Sequence, residues 1–217
     1  MFIITGAPRT GTTYIQQYLN QDKNTCVLHE CGYLVSTKKR LPYLYDDEYF
    51  NQVINDKGIT FNHIENHFYD LHNHISLDVF GDKYPYYSEK LDIVKLKIPD
   101  IKVIFCVRHP IDSINSMVNN LGWSYHKAYL TLCNSYNGFF QEKHNLKYMI
   151  MKYEYYVNDE PQLKKDLSDF LKYKFDFEDK ITESYDRPIG QNKLLEKTLL
   201  DNKFIRSIMK EFKYDYE

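Results

Sequence analysis

The chain has 217 residues, 43% of them hydrophobic, and a formal net charge of −2 at pH 7. This length suffices for one sizeable core, and no linker rich in Pro, Gly or Ser divides the chain, so we expect a single domain over residues 1–217. The near-neutral charge argues against binding to nucleic acid or to an anionic membrane. Four cysteines without a C-x-x-C pair, no leader segment and no apolar run of 18 residues together predict a cytoplasmic protein with reduced thiols.

In chain order, strand patterns alternate with helix patterns, which is typical of a parallel sheet with helices on both faces. Strands are predicted at residues 2–5, 25–28, 77–81, 102–107 and 148–152. Helices are predicted at residues 12–20, 59–74, 88–96, 111–119, 125–143, 161–171 and 203–212, and residues 42–56 are expected to be irregular or weakly helical. We therefore predict an α/β fold of the P-loop-like type, with its ligand site at the carboxyl ends of the strands.

The first predicted strand leads into a glycine loop and then a helix, an arrangement whose backbone N–H groups and helix dipole favour an anion. The loop, Gly6-Ala-Pro-Arg-Thr-Gly-Thr-Thr13, nearly matches the phosphate loop G-x-x-x-x-G-K-[ST]. However, Thr12 occupies the lysine position and Arg9 lies inside the loop. A phosphate loop without this lysine disfavours ordinary ATP or GTP chemistry.

A second motif begins about a hundred residues later, at Lys102-Val-Ile-Phe-Cys-Val-Arg-His-Pro-Ile-Asp-Ser-Ile-Asn-Ser116. Its strand pattern ends in Arg108, Pro110 follows two residues later, and Ser116 lies eight residues after the arginine. Together the two motifs resemble the 5′-phosphosulfate loop and the 3′-phosphate motif of sulfotransferases that use 3′-phosphoadenosine 5′-phosphosulfate (PAPS). The resemblance extends over most of the chain and weakens after about Asp159.

The resemblance implies in-line transfer of a sulfuryl group from PAPS to a hydroxyl or amine, leaving 3′-phosphoadenosine 5′-phosphate (PAP), without a metal. It implies two sets of donor-binding residues. The 5′-phosphate and sulfate would be held by Arg9, Thr10, Gly11, Thr12 and Thr13, and the 3′-phosphate by Arg108 and Ser116.

Two further residues are candidates for the chemistry. Lys83, just past a predicted strand, resembles the family's lysine before Thr-Pro or Thr-His, and with Arg9 would stabilise the departing phosphate. Pro85 stands where cytosolic small-molecule sulfotransferases have a catalytic histidine. Glu30 follows the second predicted strand, as the catalytic glutamate does in tyrosylprotein sulfotransferases, with one more residue of spacing. The motif layout is thus most similar to the tyrosylprotein and carbohydrate branch. Glu30 could equally be a rim residue in a salt bridge, and the neighbouring His29 is a competing base.

Two weaker matches complete the implied cofactor site. Residues 151–157 resemble the family's Tyr-Glu-Asp-Leu segment, which would place Tyr153 against the adenine or its phosphate. Residues 186–193 form a polar loop that could close over the 3′-phosphate through Arg187 or Lys193.

The histidines of residues 63–74 invite a metal interpretation. His63 and His67 lie one helical turn apart, and His72 and His74 follow, a spacing that zinc sites use. The sequence around them supplies no cysteine or well-placed carboxylate set to complete a ligand shell. We therefore interpret this segment as a solvated helix face and expect no metal site.

The acceptor is expected to be a polar hydroxylated molecule, such as a sugar, a tyrosine side chain or a small molecule. The segments expected to line its pocket, residues 32–56, 63–74 and 121–129, are rich in Tyr, His, Asn and Lys. Two other interpretations stay open, a P-loop nucleotide kinase and a non-catalytic module that retains the nucleotide pocket. A kinase requires a magnesium-binding carboxylate at a strand end, where the sequence has Arg108 after residues 103–107.

Overall fold

A computed structural model describes residues 1–35, 44–177 and 193–214. Five parallel strands form one sheet in the spatial order β2-β3-β1-β4-β5. The strands are β1 (Phe2–Thr5), β2 (Thr25–His29), β3 (Val79–Lys83), β4 (Lys102–Val107) and β5 (Lys147–Lys152). The predicted P-loop-like α/β fold with a five-stranded parallel sheet is thereby confirmed.

Helices connect the strands and cover the sheet. Before β3 lie α1 (Thr12–Asn20), α2 (Glu48–Asp56), α3 (Phe61–His67) and α4 (Leu71–His74), with a 3₁₀ turn at Phe68–Asp70. Between β3 and β5 lie a 3₁₀ helix (Pro85–Lys90), α5 (Leu91–Lys97), α6 (Pro110–Leu121), α7 (Tyr125–Glu142) and a 3₁₀ turn (Lys143–Asn145). After β5 come α8 (Tyr153–Tyr156), α9 (Glu160–Leu171), α10 (Lys193–Leu200) and α11 (Lys203–Glu211).

Strand side chains alternate between two hydrophobic clusters, one on each face of the sheet. Ile3 and Phe105 belong to the larger cluster, which includes residues of α6, α7 and α11. Ile4 and Cys106 belong to the smaller cluster, which includes residues of α1 and α9. Because both faces are covered, the strands are apolar on both sides, which is why they read as continuous hydrophobic runs in the sequence.

Several element boundaries differ from the sequence prediction. The predicted helix 59–74 is interrupted by the 3₁₀ turn, which places both Phe68 and Leu71 in the core. The expected irregular segment contains the regular helix α2, which Asp47 caps by accepting the backbone N–H of Phe50 at 2.8 Å. The predicted helix 88–96 starts earlier, as a 3₁₀ helix at Pro85. Within the described residues, no helix is both long and apolar enough to cross a bilayer.

Candidate active site

An open cleft with a volume of about 200 Å³ lies at the carboxyl ends of the strands. Its walls combine the phosphate loop, the start of α1, the end of β2, and residues of α6 and α8. The lining residues are Pro8, Arg9, Gly11, Thr12, Thr13, Tyr14, Glu30, Pro85, Arg108, Ser116, Asn120, Leu121 and Tyr153. Both sequence motifs therefore meet in one cleft.

The phosphate loop needs its two glycines for close backbone contact. Gly6 has φ 143°, and a Cβ there would collide with the carbonyl oxygen of Cys106. Gly11 has φ 95°, and a Cβ there would lie 2.7 Å from the ring of Tyr153. Gly11 is also the N-cap of α1 and makes no side-chain capping bond, so the first N–H groups of the helix have no partner from a cap. Such a helix start is suited to hold an anion.

Arg9 joins the two motifs. It adopts a positive φ of 70°, and its Nε donates to the Ser116 hydroxyl on α6 at 3.1 Å. Asn120, one helical turn further along α6, donates to the same oxygen at 3.1 Å. These two bonds use both lone pairs of the Ser116 oxygen, so its hydroxyl can act toward a ligand only as a donor. The sequence predicts Arg9 and Ser116 as contacts of different phosphates, and the structure places them side by side.

Arg108 lies where β4 meets α6. Its guanidinium is 4.7 Å from the ring centroid of Tyr153, and its buried Nε has no hydrogen-bond partner among the described residues. Glu154, the residue after Tyr153, accepts the backbone N–H of His109 at 2.6 Å and the Tyr214 hydroxyl at 3.0 Å. The start of α8 therefore fixes the turn that carries Arg108. A buried guanidinium nitrogen without a partner is suited to bind an anionic ligand.

Glu30 and Lys83 form an ion pair at the edge of the cleft. The Lys83 Nζ lies 2.9 Å from the Glu30 Oε1, and the backbone N–H of Glu30 donates to the carbonyl of Lys83 at 2.7 Å. Lys83 is buried within β3, whereas the Glu30 side chain is 38% exposed and lines the cleft. Burial lowers the pKa of Lys83, and the carboxylate of Glu30 acts in the opposite direction. Lys83 is therefore a buried strand residue, and it is linked to the cleft through its ion pair with Glu30.

Asp82 is a positioning residue that the sequence analysis missed. Its buried carboxylate accepts the backbone N–H groups of Cys31 at 3.2 Å and Gly32 at 2.9 Å, and also the Tyr87 hydroxyl. These bonds hold the turn that directly follows Glu30, which has a positive φ of 52°. Burial raises the pKa of Asp82 to about 6. An aspartate inside a buried strand pattern, next to Lys83, is the sequence signal that could have identified it.

Other predicted site residues lie elsewhere. His29 bonds to Gln16 through Nδ1 at 2.9 Å and packs against Tyr49, so it faces away from Glu30 and does not line the cleft. Thr10 ties the phosphate loop by donating to the carbonyl of Ala7 at 2.7 Å. Arg187 lies outside the described residues, as does the side chain of Lys193.

A parallel sheet with a phosphate loop after β1 and an arginine-lined cleft defines a P-loop-like α/β fold with an anion site. Residues 2–177 match the sequence model of the sulfotransferase family. The chain therefore belongs to the sulfotransferase family, as the two motifs predict. Comparison with curated proteins gives no match.

Solved structures of similar fold are also sulfotransferases. A sulfotransferase domain from the curacin biosynthetic pathway aligns with a TM-score of 0.70 at 18% identity, over 99% of this chain and 98% of that one. The sulfotransferase domain from the Synechococcus PCC 7002 olefin synthase aligns with a TM-score of 0.60 at 21% identity, over 81% of this chain and 74% of that one. A sulfotransferase from Alicyclobacillus acidocaldarius aligns with a TM-score of 0.58 at 14% identity, over 96% of this chain and 95% of that one. At these identities the likeness shows the fold alone, and the predicted likeness to the tyrosylprotein and carbohydrate branch is not supported.

Proposed function

We propose that this protein transfers a sulfuryl group from PAPS to a hydroxyl, or an amine, of a polar acceptor. The observation that carries the proposal is the convergence in one cleft of Arg9, Ser116 and Arg108 with the Glu30–Lys83 pair. The first three residues are donors suited to phosphate and sulfate oxygens. The pair supplies a carboxylate that can accept a proton beside a buried cation.

The residues present fit the donor. Its 5′ end needs N–H groups and an arginine, which the start of α1 and Arg9 supply. Its 3′-phosphate needs hydrogen-bond donors, and the unpartnered Nε of Arg108 and the hydroxyl of Ser116, whose oxygen already accepts two bonds, can supply them. The ring of Tyr153, packed under Arg108 and against Gly11, offers an apolar surface for the adenine.

Each residue has a distinct role in the proposed reaction. When bound, PAPS supplies an electrophilic sulfur and a phosphate leaving group. Arg9 and the first N–H groups of α1 bind the oxygens on which negative charge develops. Glu30 accepts the proton of the acceptor hydroxyl. Lys83 orients Glu30 through their ion pair, and its positive charge beside the cleft stabilises the leaving phosphate.

The two alternative functions make different demands. A kinase would use a carboxylate at the end of a strand next to β1 to bind magnesium. Asp82 lies at that position on β3, but its oxygens bind the N–H groups of Cys31 and Gly32 and the Tyr87 hydroxyl, so the geometry favours a positioning role. A non-catalytic module would retain Arg108 and Ser116 but would not need the Glu30–Lys83 pair. We further propose a cytoplasmic location, from the reduced cysteines.

The proposal is tested by transfer of label from ³⁵S-labelled PAPS to a panel of sugars, tyrosine peptides and phenols. We expect labelled product with at least one class of hydroxylated acceptor, and loss of labelling in Glu30→Gln. The matched control is Glu89→Gln, a half-buried glutamate that does not line the cleft. Binding of PAP without labelling of any acceptor would favour the non-catalytic module.

A further inference from the structure

Three side chains with metal-ligand atoms meet on the surface between α3 and α4. They are His67, Asp70 and His74, and their ligand atoms all lie within 4.8 Å of one another. The imidazole rings of His67 and His74 stack with their centroids 3.6 Å apart. His63, one helical turn before His67, is not part of this cluster, because its Nδ1 accepts the backbone N–H of Thr60 in a capping box. The cluster departs from the sequence interpretation of this segment as a solvated helix face without a metal site.

The three ligand atoms are close enough to reach a tetrahedral arrangement by rotation of their side chains. Asp70 bridges the two histidines, with its Oδ1 4.0 Å from His67 Nδ1 and its Oδ2 3.2 Å from His74 Nε2. Metal bonds of about 2.0–2.2 Å in a tetrahedron place neighbouring ligand atoms about 3.3–3.5 Å apart. The contact between Asp70 and His74 is already close to this value. The two contacts use different oxygens of Asp70, and the two imidazoles are stacked, so the side chains have to rotate to direct one carboxylate oxygen and both nitrogens at one ion. All three side chains are at least a third exposed, which leaves room for this rotation.

The ligand types define the kind of ion. Imidazole nitrogens suit zinc and neighbouring first-row divalent metals, whereas magnesium and calcium prefer all-oxygen sites. We propose that His67, Asp70 and His74 bind one Zn²⁺ ion, with water as the fourth ligand. This is a site separate from the cleft, since none of the three residues lines it.

The position of the site indicates a structural role. The 3₁₀ turn between His67 and Leu71 carries Phe68, which is buried and packs on Tyr33 at 4.6 Å and on Phe80 at 5.8 Å between ring centroids. Tyr33 lies three residues after Glu30, in the segment that Asp82 holds. A bound ion therefore stabilises the 3₁₀ turn Phe68–Asp70, which packs through Phe68 on Tyr33, three residues after Glu30.

The test is calorimetric titration of the tag-free full chain with ZnCl₂, in parallel with thermal unfolding. We expect one saturable Zn²⁺ site, a higher unfolding midpoint with Zn²⁺, and an affinity loss of about tenfold or more in His67→Ala and in His74→Ala. Asp70→Asn keeps the size of the side chain, so its expected weaker binding does not depend on loss of fold. The control His63→Ala keeps wild-type affinity.

Three results would overturn the proposal. The first is the absence of saturable Zn²⁺ binding to the wild-type chain. The second is unchanged affinity in His67→Ala and His74→Ala. The third is loss of binding in His72→Ala while the His67 and His74 variants still bind, which would assign the ion to other ligands.

Discussion

Arg108→Ala should weaken binding of PAP much more than binding of adenosine 5′-phosphosulfate, which lacks the 3′-phosphate. In the structure the Arg108 Nε is buried without a partner among the described residues, so its hydrogen-bonding capacity is available to a ligand. A hydrogen bond to a charged group contributes about 1.5–3 kcal/mol. The dissociation constant of PAP should therefore rise about 10–150-fold, and that of the second nucleotide should change little.

The same substitution should leave the fold intact. Arg108→Ala loses the contact with the Tyr153 ring, a cation–π interaction of about 0.5–1 kcal/mol at a partly exposed site. It also removes a buried donor without a partner, which costs about 1–3 kcal/mol in the free protein. Because these effects oppose each other, we expect the free energy of unfolding to stay within about 2 kcal/mol of the wild-type value.

Calorimetry with both nucleotides tests the prediction. Arg108→Lys is the matched control, because lysine keeps the charge but loses the planar set of donors, and we expect an intermediate affinity for PAP. An equal loss of affinity for both nucleotides in Arg108→Ala would show that Arg108 does not bind the 3′-phosphate.

Four further predictions concern the other residues around the cleft. Glu30→Gln should lower turnover by about 10²–10⁴ with PAP affinity near wild type, and an acceptor of low pKa such as a nitrophenol should partly restore the rate; wild-type turnover would make Glu30 a rim residue. Lys83→Met should also lower turnover, but the nitrophenol should not restore it, because leaving-group stabilisation is lost; full rescue would assign Lys83 only to the orientation of Glu30. Gly11→Ala should lower the free energy of unfolding in a denaturant titration by about 1–3 kcal/mol, since φ is 95° and a Cβ would lie 2.7 Å from the Tyr153 ring; unchanged stability would contradict the tight loop packing. Burial raises the pKa of Asp82 from its ordinary 3.8 to about 6, so between these pH values the folded chain holds a proton that the unfolded chain has lost, and the free energy of unfolding falls as the pH rises. Asp82→Asn should therefore show a smaller change in the free energy of unfolding between pH 3.8 and about 6 than the wild-type chain. The same pH dependence in both chains would refute this.

The sheet and both anion motifs could be predicted from the sequence because their signals are local. A strand such as β4 is a continuous apolar run, and the motif that follows it keeps a fixed spacing from Arg108 to Ser116. The break between α3 and α4 could not be predicted in this way. Its cause is the burial of Phe68 against Tyr33 and Phe80, which are distant in sequence.

Glu30 and Lys83 were each predicted from the sequence, but their contact was not. The sequence prediction ends β3 at Gly81. In the structure β3 continues to Lys83, since Glu30 pairs with its ammonium and the N–H groups after Glu30 bind Asp82. These partners lie about fifty residues away in the chain, and only the parallel pairing of β2 with β3 brings them together.

The proposed function requires the cleft to select a 3′-phosphoadenosine nucleotide. This selectivity can be measured by calorimetric titration of the wild-type chain with PAP, with AMP and with Mg-ATP. We predict saturable binding of one PAP per chain, weaker binding of AMP because the contacts of Arg108 and Ser116 with the 3′-phosphate are missing, and no saturable binding of Mg-ATP. Tighter binding of Mg-ATP than of PAP would contradict the account and favour a kinase.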